Sequence, residues 1–269
     1  MGKVVGPERF RDIAVKYFQL RDSSLQAWQE HRAQVQSAPD TRSRIFNTAR
    51  TVFAQHGQSA TVREICRAAN ANVSAVNYHF GNKDRLQASV LEDFLYEIRG
   101  IYPLHGGVDD SAEPEERLFG FTLACISGML ISHGDEYWNL NRLLHDAFIN
   151  RFEAFQNVAH ENNMLLRGIV TPIVDTLTGH KCNEQQLDAL LSGYFSQLFF
   201  YVMHIDDLLL AKEQKFFTDS DAYGIAQHIT AFSIGGIKNY SELMDAEIDF
   251  PSLWCTACCE STRYPDGVQ

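Results

Sequence analysis

The sequence lacks the features that mark membrane-spanning, secreted and disulfide-stabilised proteins. No run approaches the roughly 18 uninterrupted apolar residues that a membrane span requires. The first residues, MGKVVGPERFRDIAVKYF, contain no compact apolar segment followed by small residues, so no secretory signal is expected. The six cysteines, at positions 66, 125, 182, 255, 258 and 259, are scattered or bunched at one end and form no disulfide framework. These absences predict a protein of the reducing cytoplasm.

The common signatures of catalysis are absent as well. The ten histidines are spread along the chain, which contains no His-Glu-x-x-His, no Gly-x-Ser-x-Gly and no glycine-rich phosphate loop. Few segments alternate between apolar and polar residues with a period of two, so no sheet is expected. We therefore predict an all-α protein that is not an enzyme and that needs no cofactor.

The charge of the chain is distributed unevenly. The net charge is −11, yet residues 41–85 carry seven basic and two acidic side chains, a local charge of +5. The remaining residues carry 16 basic and 32 acidic side chains, a charge of −16. A short basic block on an acidic body is typical of a protein in which one small domain meets a polyanion such as DNA. Chance clustering of surface charge is the alternative.

Helical periodicity and turn residues divide the chain into four parts. Residues 1–40 form an extension that is expected to be helical, and residues 41–88 form the basic unit of short helices. Residues 89–240 form a helical body, and residues 241–269 an irregular tail. The candidate helices of the body are 115–132, 136–150, 153–178 with an interruption near Pro172, 184–210 and 221–239.

Two short helices of the basic unit are joined by a three-residue turn, Asn70-Ala71-Asn72. Asparagine tolerates the left-handed backbone conformation better than any residue except glycine, so Asn70 is the expected turning point. Cys66 is small and lies where the two helices must approach one another. The pair therefore resembles a helix-turn-helix, which sets its second helix into the major groove of DNA.

Capping residues mark the ends of these helices. Thr61 and Glu64 have the spacing of a capping box, and Asn72 and Asn82 are placed to cap the next two helices. Gly57 is the natural end of the helix that precedes them. The second helix of the motif is thus predicted to span VSAVNYHF, with Val62, Ile65, Val73 and Val76 facing inward.

The predicted DNA-contacting side chains lie on and beside this second helix. Asn77 can bond adenine with two hydrogen bonds, and the methyl group of Ala75 can meet the thymine methyl. Tyr78 and His79 can reach phosphates, and Thr61 lies at a helix N-terminus that suits one. Lys83 lies in the first turn of a helix, where a cation opposes the helix dipole, so it is expected to meet a DNA phosphate. The alternatives are packing for Tyr78, plain solvation for Asn77 and an exposed helix face for Arg63. The full candidate set is Thr61, Arg63, Asn72, Ser74, Ala75, Asn77, Tyr78, His79 and Lys83.

These residues carry a resemblance to a known family. The stretch IFNTARTVFAQHG, followed by TVREICRAANANVSAVNYHFGNKDRLQASVL, resembles the TetR/AcrR family of one-component transcriptional regulators. AVNYHFGNKD and the looser segments EERLFGFTLACISGML and RGIVTPIVDTLTG are similar to a CerR-type branch. The sequence departs from the family pattern at Cys66, Asn70 and Ala71, where alanine, glycine and valine are usual.

The resemblance implies a homodimeric regulator with a helical effector-binding and dimerisation domain. The helices predicted at 184–210 and 221–239 would pair across the dimer, and two recognition helices would meet a palindromic double-stranded DNA operator. The implied function is a repressor that a small-molecule effector releases. An activator of the same fold is the alternative, as is a regulator that responds to metal or redox state.

The effector-binding residues are chosen only as aromatic, soft or titratable side chains on apolar helices, and core packing is the alternative for each. The acidic body favours a cationic or neutral effector over an anion. The candidates are Phe121, Cys125, Met129, His133, Trp138, His145, Phe148 and Tyr194.

Two sets of cysteines raise further alternatives. Cys66 could respond to redox state, or it could be a small buried apolar residue. Cys255, Cys258 and Cys259 supply three thiolates of the kind that bind zinc or copper(I), but no fourth ligand is evident. An irregular tail without a metal site is the prediction.

Overall fold

A computed structural model of the protein describes residues 5–35 and 40–243, which fold into eleven α-helices without a strand. Two short 3-10 turns, Gly57–Ser59 and Glu153–Phe155, accompany them. The all-α class predicted from the sequence is confirmed, and no helix in the described part is long and apolar enough to cross a membrane. The helices are α1 (Pro7–Val35), α2 (Thr41–His56), α3 (Val62–Ala68), α4 (Val73–Phe80), α5 (Lys83–Ile101), α6 (Pro114–Leu130), α7 (Asp135–Ile149), α8 (Gln156–Leu177), α9 (Glu184–Met203), α10 (Ile205–Lys212) and α11 (Asp219–Leu243).

Helix α6 is the centre of the body. Every residue from Leu118 to Gly128 is buried, because α1, α8 and α11 pack around it on different sides. A helix that is apolar on all faces is expected in such a position. Its buried N-terminal acids are paired: Glu115 with Lys238 of α11, and Glu116 with Arg9 of α1 at 2.6 Å.

The N-terminal extension lies against this body. Phe10 stacks on Phe119 of α6 with ring centroids 4.5 Å apart, and Tyr17 is fully buried. Arg21 forms an ion pair with Asp219 at the start of α11. Helix α1 is therefore part of the hydrophobic core of the protein.

The loop between α5 and α6 crosses α6 at a contact between two glycines. Gly106 has a φ of +61°, and a Cβ atom there would overlap the backbone of Gly120. A Cβ on Gly120 would lie only 2.7 Å from Cγ2 of Val108. Glycine is required on both sides because the two backbones touch.

Two of the observed helices differ from those predicted. Helix α8 continues through Pro172, which removes a single backbone hydrogen bond from a 22-residue helix whose buried face holds it in place. The helix predicted at 184–210 is divided into α9 and α10 at His204. The boundary between the basic unit and the body stays a prediction; α5 runs through residue 88, so this one helix belongs to both parts. The tail after residue 243 lies outside the described residues.

Candidate nucleic-acid interface and effector cavity

The helix-turn-helix motif is formed by α3, a short turn and α4. Asn70 adopts a φ of +47°, the left-handed conformation predicted for it. The N–H of Ala71 donates to the carbonyl of Cys66 at 2.9 Å and closes the turn. Cys66 is buried at the helix crossing, and Ile65 and Val76 meet in the core beside it.

The predicted caps of this unit are confirmed. Oδ1 of Asn72 accepts from the N–H of Ala75 at 2.8 Å, and Oδ1 of Asn82 accepts from the N–H of Arg85 at 2.8 Å. Thr61 and Glu64 form a complete capping box. Each cap satisfies a backbone donor that the first turn of a helix leaves without a partner.

The exposed face of α4 carries several of the predicted DNA-contacting residues. Tyr78 is 85% exposed, which excludes the packing alternative, and Asn77 and Ser74 are exposed on the same side. Val73 was predicted to face inward, but it is 44% exposed and joins this face. Because Val73 is the first residue of the helix, its side chain precedes the first turn that packs on α3.

Other predicted residues of α4 have structural roles as well. The hydroxyl of Ser74 donates to Oδ1 of Asn72 at 2.6 Å, so both side chains belong to the cap. Ala75 and His79 are half-buried, and the His79 ring meets the edge of Tyr78 at 5.0 Å between centroids. Their predicted contacts with DNA stay predictions.

Thr61 is less suited to a phosphate than the sequence suggested. Its N–H and its hydroxyl both donate to Oε2 of Glu64, each at 2.8 Å. An incoming phosphate would have to displace this carboxylate, which already places a negative charge at the N-terminus of α3. Arg63, by contrast, is exposed on the same helix.

Lys83 ties the start of α5 to the turn before α3. Its Nζ donates to the carbonyl of Gln58 at 2.7 Å and to that of Ala60 at 3.1 Å. Its first partners are therefore backbone carbonyls, where the sequence suggested an anion. An ammonium group has three donors, so one N–H is left for a phosphate.

Arg50 counts toward the basic block but faces away from any DNA. Its side chain is 6% exposed, and its guanidinium lies 2.6 Å from Glu97 of α5. Arg32 of α1 reaches the same carboxylate at 2.8 Å, and Glu136 of α7 lies 3.3 Å from Arg50. This buried charge network joins the DNA-binding unit to the extension and to the body.

The thiol of Cys66 is not prepared for redox chemistry. Burial raises its pKa above the ordinary value, so the reactive thiolate is disfavoured. In the described residues no group of three or more potential metal ligands forms a site. Cys255, Cys258 and Cys259 lie outside the described residues.

The body contains an apolar cavity of about 120 Å³ between α5, α6, α7, α8 and α9. Four of the predicted effector residues line it, namely Cys125, Met129, His145 and Phe148. Its apolar walls come mainly from leucine, isoleucine, valine and phenylalanine side chains. Because Ile149 and Phe199 are its exposed lining residues, the cavity reaches the surface between the end of α7 and α9.

The other four predicted effector residues do not line this cavity. Phe121 and Tyr194 pack on each other in the core, and the Tyr194 hydroxyl bonds Thr122 at 2.7 Å. Trp138 meets Phe216 edge-on at 5.6 Å.

His133 bonds the hydroxyl of Tyr102 through Nε2 at 2.8 Å. The four side chains thus already have their ring contacts or hydrogen-bond partners within the fold. Apolar periodicity places a residue inside the body, but it does not separate cavity wall from core.

Three polar side chains of the cavity wall are notable. His145 was among the predicted effector residues, whereas Asn141 and Arg99 were not. Asn141 donates through Nδ2 to the carbonyl of Met129 at 2.8 Å, while its Oδ1 is buried without a partner. His145, one helical turn later on α7, has an unpartnered Nδ1, and burial lowers its pKa to about 4. Arg99 of α5 also lines the cavity, with its Nε buried and unpartnered. Polar residues spaced i, i+4 on an otherwise apolar helix face were the available signal for Asn141 and His145.

Comparisons with known proteins agree with this geometry. The sequence model of bacterial regulatory proteins, tetR family, matches residues 45–90, which hold the helix-turn-helix and the start of α5. The chain is 22% identical over 204 residues to the HTH-type transcriptional dual regulator CecR of Shigella flexneri, covering 70% of this chain and 87% of CecR. It is 32% identical over 92 residues to the HTH-type transcriptional regulator UidR of Escherichia coli K12, covering 31% of this chain and 47% of UidR.

A solved structure extends over more of the chain. The ketosteroid transcriptional regulator KstR2 of Mycobacterium tuberculosis is similar at 18% identity and a TM-score of 0.47, over 75% of this chain and 97% of KstR2. The family resemblance rests on the DNA-binding unit, where the turn, the caps and the exposed helix face are formed as the motif requires. Residues 45–90 match the helix-turn-helix DNA-binding unit of the tetR family of bacterial regulatory proteins, and the chain is similar to transcriptional regulators.

Proposed function

We propose that the protein is a homodimeric repressor that binds a palindromic operator and is released from it by a small-molecule effector. The observation that supports this mechanism best is the position of α5. The helix begins at the Asn82 cap, directly after the recognition helix, and its last turns carry Leu95, Ile98 and Arg99 into the cavity wall. A ligand and the DNA therefore act on one helix.

In this proposal residues 41–88 contact DNA, and residues 89–240 bind the effector and the second subunit, with α5 shared between them. Asn77 reads a base edge, and Ala75 contacts a neighbouring apolar group. Ser74 lies close to a base edge, whereas the phosphates are contacted by Tyr78, His79, Arg63 and Lys83, which fix the position of α4 in the groove. Such a regulator works where the chromosome is, so we place it in the cytoplasm.

Release by an effector requires that the ligand bind the DNA-incompetent arrangement better than the DNA-bound one. A ligand that binds both equally would shift nothing. Coupling between two such sites is typically about 1–3 kcal/mol, or about 5- to 150-fold in affinity. A ligand that moves α5 would change the distance between the two recognition helices of the dimer, which must match one DNA turn of about 34–36 Å.

The homodimer is supported by an exposed stripe on two neighbouring helices. Gln197 of α9 bonds Ser233 of α11 at 3.0 Å and holds the two helices side by side. Phe200, Met203 and Phe232 are more than half exposed on them. Glycines at positions 193, 224 and 235 leave open space where a side chain would stand, so a second subunit could approach closely. Exposed aromatic side chains beside small residues fit a helix-to-helix interface.

The central experiment is a selection of bound sequences from random DNA, followed by a reporter assay on the preferred site. We expect a palindrome with half-sites one DNA turn apart, and repression that is relieved by the effector. Failure to prefer any palindrome over bulk DNA at moderate salt would contradict the proposal. Because CecR is named a dual regulator, increased transcription from the bound reporter would assign activation instead.

Two variants separate base reading from phosphate contact. Asn77→Ala should change the preferred base at one position of each half-site, at a cost of about 1–3 kcal/mol for the original site. Tyr78→Ala should weaken binding to all sequences to a similar extent. Arg11→Ala, an exposed change on α1, is the matched control. Unchanged preference and affinity in Asn77→Ala would remove its role as a base reader.

The dimer is tested by light scattering on the pure protein. The wild type should have twice the chain mass of 30.5 kDa. Phe232→Asp should give monomers at micromolar concentration, because it places a charge in the apolar interface. Val15→Asp changes an exposed apolar residue of α1 and should leave the dimer intact. A dimeric Phe232→Asp variant would show that the interface lies elsewhere.

A further inference from the structure

We propose that the effector is an amphipathic organic monoanion, with an apolar body in the cavity and a carboxylate or similar head group on Arg99. The inference rests on the proposed function, since it names the ligand class of the same cavity. It reverses the expectation from the acidic body, because the charge of the cavity wall differs from that of the protein surface.

The first support is the chemistry of the wall. Most of its side chains are aliphatic or aromatic, contributed by all five helices that enclose it. A ligand with several charges would lose its hydration without gaining enough partners there. The body of the ligand must therefore be mainly apolar.

The second support is that Arg99 is the charged residue of the described cavity wall. His145 is neutral near pH 7 because of its burial. No ion pair of Arg99 is formed in the described part of the chain; its guanidinium stacks over Tyr96 at 4.8 Å. Glu161 and Glu92 attract this cation without forming an ion pair, and burial still lowers the pKa of Arg99, so a ligand anion in direct contact would stabilise its charge. Arginine also matches a carboxylate with two parallel hydrogen bonds.

The third support is independent of charge. Oδ1 of Asn141 and Nδ1 of His145 are buried, unpartnered and part of the same wall. Buried polar atoms are nearly always hydrogen-bonded in folded proteins. Two such atoms one turn apart on α7 indicate that the cavity is built around an occupant with polar atoms of its own.

The proposal is tested by calorimetry with three probes of equal chain length: octanoate, 1-octanol and octyltrimethylammonium. The protein is used without DNA, so the outcome does not depend on repression. Octanoate should bind about 10- to 100-fold more tightly than octanol, the range expected for hydrogen bonds to a charged group. Octyltrimethylammonium should bind most weakly. Equal binding of octanoate and octanol, tightest binding of the ammonium probe, or no binding of any probe would overturn the proposal.

Variants then assign the preference to one side chain. Arg99→Gln should remove the advantage of octanoate and leave octanol unchanged, while Arg99→Lys should retain most of it. Arg11→Gln is the control for a lost exposed arginine. An unchanged octanoate preference in Arg99→Gln would overturn the proposal. If that variant does not fold, the comparison of the three probes on the wild-type protein decides the proposal instead. If octanoate binds through Arg99 without releasing the selected operator, the ligand class stands and the release mechanism fails.

Discussion

The recognition helix and the effector cavity solve opposite physical problems within one chain. On α4 the side chains proposed to contact DNA, Asn77 and Tyr78, are exposed to solvent. In the cavity the polar groups of Asn141 and His145 are already buried and without partners. In the proposed function, the exposed face of α4 is specific because DNA adds hydrogen bonds to it. The cavity is specific because a ligand supplies partners for polar atoms that are buried without one. Because α5 joins both sites, a change at one can be felt at the other.

The largest effect is expected where the two regions are joined. Glu97→Gln removes the buried carboxylate that Arg50 and Arg32 share. The two cations keep only half-exposed anions, namely Asp93 at 3.6 Å from each and Glu136 beside Arg50. Breaking a buried ion pair from one side costs about 3–5 kcal/mol. Urea unfolding should show a loss of this size, and the operator affinity should fall as the DNA-binding unit loosens from the body.

Asp146→Asn on the exposed face of α7 is the control for the loss of one acidic group, and it should change the free energy of unfolding by less than about 0.5 kcal/mol. If Glu97→Gln destabilises no more than this control, the network does not hold the two regions together.

An intermediate effect concerns the cavity alone. Burial lowers the pKa of His145 to about 4 in the folded protein. Between pH 6.5 and 4 this histidine is therefore protonated in the unfolded chain and neutral in the folded protein. The contribution of His145 to stability is therefore complete above pH 6.5 and falls as the pH drops toward 4.

Unfolding free energies measured at pH 7 and pH 5 should differ by about 2 kcal/mol more in the wild type than in His145→Gln. The same pH dependence in His145→Gln and the wild type would assign the loss at pH 5 to other groups.

The smallest effect concerns the turn of the helix-turn-helix. Asn70 holds a φ of +47°, so Asn70→Ala should destabilise the protein by about 1 kcal/mol. Asn70→Gly, which restores the usual residue of the family, should be neutral or slightly stabilising. Thermal unfolding of the two variants measures the difference, and an Asn70→Ala variant as stable as Asn70→Gly would mean that the turn relaxes out of the left-handed conformation.

Sequence reasoning was accurate for features whose partners lie within a few residues. Asn72 and Asn82 each cap a donor three residues further along, and the turn at Asn70 depends on the backbone of one residue. Such features can be predicted because the residues that form them are close together in the sequence. The CerR-type identity of the body stays a prediction.

Features that depend on distant partners could not be obtained in this way. Arg50 was counted with the DNA-facing charges because nothing near it in sequence reveals Glu97, 47 residues later. Lys83 was assigned to an anion although its partners lie 23 and 25 residues before it. The cavity wall depends most on distant residues, because it is formed by five helices. Only their packing shows that Arg99 belongs to it.

The contact between Gly106 and Gly120 has a mechanical consequence for α5. The contact holds the loop that follows α5 against α6. The end of α5 near Ile101 is therefore held in place, and a tilt of the helix about this end moves its other end, near Lys83. The helix is 19 residues long, or about 28 Å, so a tilt of roughly 5° moves its far end by about 2.5 Å. In the proposed mechanism, a ligand that displaces Leu95 or Ile98, close to the held end, by a fraction of an ångström would produce a larger movement at the DNA-facing end of the helix.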